Sequence, residues 1–144
     1  MDVKLIQRIC LNAPEAMDFL ANYWARYCHE IDDIIDGDRT GPEKILSTFA
    51  LAIELYSHPF YLKHLEAMKA TARNITNTYA DTVAWEKSEV EWQRLWADYH
   101  RHCSNEMVLT IAMICGGYDH ARAIMPEMRA TAYHEHHDRE GRAV

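Results

Sequence analysis

Turn-forming residues are scarce in this sequence, with five Gly and four Pro among 144 residues, about half the ordinary usage. A sandwich or barrel of short strands needs a turn roughly every 8–12 residues, so this scarcity argues against both and favours a handful of long helices. Cysteine is sparse as well. Cys10, Cys28, Cys103 and Cys115 are scattered, with no Cys-x-x-Cys pair, and the start Met1-Asp2-Val3-Lys4 lacks the basic-then-apolar order of a signal peptide. Together these predict a reducing, cytoplasmic setting. No long hydrophobic run occurs; the most apolar stretch, Met107 to Cys115, is far shorter than the roughly 20 residues a membrane span needs. Basic residues are outnumbered, 15 against 22 acidic ones for a net charge of −7, which leaves nucleic acid without a phosphate-tracking surface. Glu-x-x-His, His-Glu-x-x-His and Gly-rich phosphate loops are all missing, which removes the usual signatures of carboxylate di-iron bundles, zinc peptidases and nucleotide cradles.

What is present describes a folded helical chain. Hydrophobic residues make up 49% and charged ones 26%, close to the globular average, and the length fits a single domain over 1–144. A short amphipathic segment over 3–11 is followed by Asn12-Ala13-Pro14-Glu15, an N-cap with Pro near the first turn of a long helix over 14–36. Leu20, Trp24, Tyr27, Ile31, Ile34 and Ile35 recur along it at helical spacing, and Gly37 and Gly41 bracket its end. Pro42 opens a second long helix through Ile45, Leu46, Phe49, Ile53 and Tyr56, which Ser57-His58-Pro59 breaks. Further helices are predicted over 59–86, over 88–115 with Gly116-Gly117 as its stop, and over 119–137 with Pro126 as a kink or boundary. Short connections between long helices make neighbours antiparallel, so the expected fold is all-α, an up-down bundle of about five long helices.

The one dense acidic cluster lies at the end of the 14–36 helix, in Cys28-His29-Glu30-Ile31-Asp32-Asp33-Ile34-Ile35-Asp36-Gly37. Carboxylates are misplaced there, because the helix dipole already puts about half a negative charge at a C-terminus. His29, Asp32, Asp33 and Asp36 fall within about 100° of arc, so the spacing predicts one converging face, continued backward through Ala25, Asn22 and Asp18. An ordinary amphipathic helix with a solvated acidic face accounts for the same pattern. Three carboxylates also suit Mg²⁺, with Mn²⁺ as a substitute, since Mg²⁺ takes one or two protein carboxylates and completes its shell with water and substrate phosphates. A small diphosphate-containing ligand fits that logic.

The run Tyr27-Cys28-His29-Glu30-Ile31-Asp32-Asp33-Ile34-Ile35-Asp36-Gly37 resembles the first aspartate-rich helix of the squalene and phytoene synthases, and of class I isoprenoid synthases generally. The resemblance covers about a dozen residues; His29 and Glu30 stand where that family usually has basic ones. It implies a reduced class I isoprenoid-synthase-like fold in which Mg²⁺, held by Asp32, Asp33 and Asp36, grips an allylic diphosphate as it leaves.

Such a site needs a second ligand set. Antiparallel packing would place there the end of the 59–86 helix, where Asn74, Asn77, Thr78 and Asp81 form a polar stripe ending near Glu86, a loose echo of the family's second motif. Asn77 and Asp81 are its candidate ligands. The alternatives are His134 with His137 and Asp138 near the C-terminus, and Asp98, His102 and Glu106 at i, i+4 and i+8. Arg39 and Arg26 are the nearest basic residues in sequence to the acidic stripe, and Arg39 is the candidate diphosphate contact. Two other readings stand beside this one. Glu30-x-x-Asp33 and Glu86-x-x-Glu89 loosely satisfy the ligand grammar of an all-α nucleoside-triphosphate pyrophosphohydrolase, while a non-catalytic helical interaction protein would use the acidic patch to steer a basic partner. Association into homo-oligomers is compatible with all three.

Overall fold

Helix starts follow local chemistry throughout the computed structural model, which describes residues 1–38 and 41–139, with side chains as far as Glu135. The Asp2 carboxylate caps α1 (Val3–Ile9) by accepting the Leu5 N–H at 2.8 Å, satisfying a donor the helix cannot. Prolines open three more helices at the first helical position, where a missing N–H costs nothing: α2 (Pro14–Asp18), α4 (Pro42–Tyr56) and α5 (Pro59–Lys63). A π-helical turn (Phe19–Trp24) joins α2 to α3 (Ala25–Asp36), so the expected 14–36 helix is one continuous rod carrying an irregular turn. Gly37, at φ 78°, ends it in the left-handed conformation that favours glycine. The remaining elements are α6 (Leu65–Trp85), α7 (Glu91–His100), a 3₁₀ turn (Cys103–Asn105) and α8 (Glu106–Arg139). Among the described residues there is no strand.

All-α is therefore correct, while three predicted boundaries move. The 59–86 segment divides at His64, whose φ −118°, ψ 32° is not helical, leaving α5 as a short turn before α6. The 88–115 segment is not one helix either: α7 stops at His100 and the 3₁₀ turn intervenes before α8. Gly116-Gly117 is a break rather than a stop, since Gly117 at φ 81°, ψ −176° interrupts the helical path and the chain resumes its helix directly, with Pro126 inside it.

The core forms where these elements cross. Leu5 and Ile9 of α1, Phe19 and Leu20 of the π turn, Met68 and Ile75 of α6, and Met107, Val108 and Ile111 of α8 are all buried in one cluster. α6 packs on α7 and α8, α1 on α8, and α3 on α4. Three polar ties hold α1 to α8. The Nε2–H of His120 donates to the Ile9 carbonyl at 2.9 Å, the Met1 amine meets Glu135 at 2.9 Å, and Arg8 pairs with Glu127. No helix is long and apolar enough to cross a membrane among the described residues.

Candidate functional site

The acidic stripe is split by its neighbours. A helix turns about 100° per residue, so Asp32 and Asp36 stack one above the other while Asp33 lies around the side. α6 meets the first pair: the Tyr79 hydroxyl donates to Asp32 Oδ1 at 2.6 Å. α4 meets the second side, where Lys44 Nζ lies 3.9 Å from Asp33 Oδ2 and 3.8 Å from Glu30 Oε2. His29 Nε2 approaches Asp33 from its own helix at 3.9 Å. Convergence of Asp32, Asp33 and Asp36 on one point is thus replaced by two sets. Upstream, Ala25, Asn22 and Asp18 are exposed like Asp32 and Asp36, with the π turn lying between α2 and α3. Asp18 accepts from Asn22 at 2.7 Å and from His58 at 2.9 Å.

The α4 side is a clamp. Glu30 is buried, accepts from the Thr48 hydroxyl at 2.9 Å and from Arg26 Nε at 3.0 Å, and faces Lys44. Burial pushes its carboxyl up, but these hydrogen bonds and the two cations outweigh burial and hold it below the ordinary carboxylate range. A carboxylate with a donor on each oxygen and two cations beside it is already charge-balanced within the protein. The Glu30-x-x-Asp33 half of the pyrophosphohydrolase grammar therefore sits in an α3–α4 tie.

On the α6 side the carboxylates are exposed and their charge is offset only in part. Burial raises the Asp36 carboxyl above its usual value, the like charges of Asp32 and Asp38 raise it further, and Arg101 and Lys87 pull it back only in part. Burial also raises the Tyr79 phenol, followed by its bond to Asp32 and the negative field of Asp32, Asp36 and Glu86. Tyr79 therefore remains a donor. Three carboxylates from α3 and the end of α6 act on this point, beside a groove of about 360 Å³ between α6 and α7 lined by Glu86, Glu91, Arg94, Asp98 and Arg101, with Thr82 at its base. Among the described residues, no three His, Cys, Asp or Glu side chains form a ready metal cage.

The other sequence candidates are scattered. Asn77 lines a different groove, with Tyr56 and Tyr61, and Asp81 is half-buried on α6 without a described tie to α3. The face α6 turns to α3 carries Tyr79, and Glu86 two turns on; a spacing of i and i+7 from a tyrosine is the only signal that sequence offered for it. The Asp98, His102, Glu106 line is broken by the 3₁₀ turn, with Asp98 paired to Arg101 at 3.6 Å and Glu106 to Arg129 at 3.0 Å. His134 is exposed. Arg39 and the side chains of His137 and Asp138 lie outside the described residues. Arg26 is committed to Glu30. Neither the family models, nor the curated proteins, nor the solved structures compared with this chain match it.

Proposed function

We propose that the chain binds a diphosphate-containing small molecule together with Mg²⁺ or Mn²⁺ at the end of α3, with Asp32 and Asp36 as the protein's metal ligands and an isoprenoid-synthase-like bundle as its scaffold. One observation carries the reading: Asp36 stands beside Asp32 at the exposed end of α3, and the like charges of Asp32 and Asp38 on its carboxyl are offset only in part by Arg101 and Lys87. Like charges at the negative end of a helix cost stability that a bound cation would relieve. Two carboxylates suffice, because Mg²⁺ draws its other ligands from water and phosphate. Bound there, the cation would neutralise a leaving diphosphate. Tyr79 fixes the Asp32 rotamer, and Arg101 and Lys87 supply positive charge on the same side. Asp33 belongs to the clamp with Lys44; of the sequence's candidates for a second ligand set, Asn77 faces the other groove of α6, which leaves Asp81.

Thermal unfolding tests this. Mg²⁺ with inorganic diphosphate raises the melting temperature, EDTA abolishes the rise, and Asp32→Asn with Asp36→Asn removes it, because only a ligand of the folded state shifts the equilibrium. Without metal, Asp36→Asn leaves stability unchanged or raised. A raised carboxyl means that the folded state holds a proton the unfolded state releases, so stability falls as pH climbs past the ordinary carboxylate range, and the amide abolishes that fall. Absence of any metal-dependent shift at millimolar diphosphate overturns the reading.

A second reading, a helical protein that associates through an apolar face, is favoured by α4. Leu51 and Leu55 are buried on its inner side, yet Ile45, Leu46, Phe49 and Ile53 on the outer side are 50–68% exposed. A helix apolar on both faces ordinarily sits inside a structure. The occupant is a second copy of this chain. No charged residue lies between Lys44 and Glu54, so this is where two molecules of net charge −7 meet with least repulsion. The uncovered apolar surface, on the order of 600 Å² with Tyr56 included, approaches the roughly 800 Å² per partner of a standard interface.

A further inference from the structure

A second groove, of about 510 Å³, opens where the end of α4 and α5 meet one face of α6, and its chemistry is the opposite of the acidic end. Lys69, Arg73, Thr76 and Asn77 enter it from α6, and Tyr56 and Tyr61 form the facing wall. The spacing i, i+4, i+7 and i+8 puts all four α6 residues along one side of that helix. No carboxylate lines this groove, although acidic residues outnumber basic ones 22 to 15 in the chain. Neither Lys69 nor Arg73 makes an ion pair among the described residues.

The two tyrosine rings pack edge to face with centroids 5.2 Å apart, Tyr61 buried and Tyr56 partly open. Burial raises the Tyr61 phenol and Arg73 pulls it back, so the guanidinium's field reaches across to the aromatic wall. The Thr76 hydroxyl donates to the Ala72 carbonyl at 2.8 Å, which leaves the Asn77 amide as the neutral donor on this face. Ala72 and Ala80 keep the floor small and apolar. Two cations on the α6 side, two aromatic rings on the facing side and no acid in the lining make a receptor for an anion with an apolar body.

We infer that this groove binds an organic phosphate, with the phosphate on Lys69 and Arg73 and an aromatic or other flat apolar group against Tyr56 and Tyr61. A fork of guanidinium N–H groups and a nearby ammonium match a phosphate dianion better than a single carboxylate. The site is independent of the metal reading, since its charge comes from the chain's own cations.

Calorimetric titration in EDTA with phenyl phosphate, inorganic phosphate and benzoate decides it. Phenyl phosphate binds, while inorganic phosphate and benzoate each bind at least tenfold more weakly. Lys69→Ala and Arg73→Ala each weaken phenyl phosphate at least tenfold, and Tyr61→Leu lowers the preference for phenyl phosphate over inorganic phosphate. Asp32→Asn with Asp36→Asn leaves this binding unchanged, so failure at the acidic end and failure here are read separately. No binding at millimolar phenyl phosphate, equal binding of all three probes, or binding that survives both cation substitutions overturns the inference.

Discussion

At the scale of single residues, the sharpest contrast is between two carboxylates six positions apart on α3. Glu30 is buried and satisfied by Thr48, Arg26 and Lys44, while Asp36 is exposed beside the like charge of Asp32. Removing the Thr48 hydroxyl leaves a buried carboxylate oxygen without its donor, so Thr48→Ala costs about 1–3 kcal/mol at neutral pH in denaturant unfolding. The sign with pH follows from the direction of the shift. Glu30 sits below its ordinary value, so the clamp's stabilisation is present above the ordinary carboxylate range and is lost as pH falls through the folded-state value. Thr48→Ala therefore shows a shallower acid loss than the parent protein, and equal acid slopes would show that the hydroxyl does not hold the charged form. The four thiols belong to the inert class: burial pushes Cys10 and Cys28 up to about 12 and Cys103 to about 11, which leaves little thiolate for chemistry at neutral pH.

At the scale of elements, the breaks matter more than the helices. Gly117 adopts φ 81°, ψ −176°, a region essentially restricted to glycine, so Gly117→Ala costs about 1–3 kcal/mol and lowers the melting temperature. Gly41 is the control: its φ is −66° and an added methyl group meets nothing within 4 Å, so Gly41→Ala leaves melting nearly unchanged. Equal effects at the two glycines would mean that the α8 break carries no conformational demand. The same logic explains which elements the sequence showed. Pro42 and Pro59 mark their helices as expected, because proline acts on its own φ. The π turn and the bend at His64 carry no glycine or proline; they arise where Phe19, Leu20 and Trp24, then Phe60 and Tyr61, must all reach one core.

At the scale of the whole molecule, the outer face of α4 sets the expected assembly. Light scattering at micromolar concentration gives a dimer, and Phe49→Asp, which puts a charge at the centre of the face, gives a folded monomer with unchanged helicity. A monomeric parent protein, or association that Phe49→Asp leaves intact, removes the second copy as the occupant. A dimer through α4 leaves the groove between α6 and α7 open on each copy and meets the Lys69–Arg73 groove only at Tyr56.

Sequence by itself determined that the chain is helical and where its proline-marked helices begin, because those properties are set by neighbours within a turn. It also located the acidic cluster at the end of α3. Only the tertiary structure decided how that cluster divides: Asp32 goes to Tyr79 and Asp33 to Lys44. Positions i and i+1 differ by about 100° around a helix, and which of them faces a charge or a hydroxyl depends on helices far away in the chain. Tyr79 and the cationic groove were invisible for the same reason. Their chemistry lies in what α6 faces, and long-range packing alone sets that.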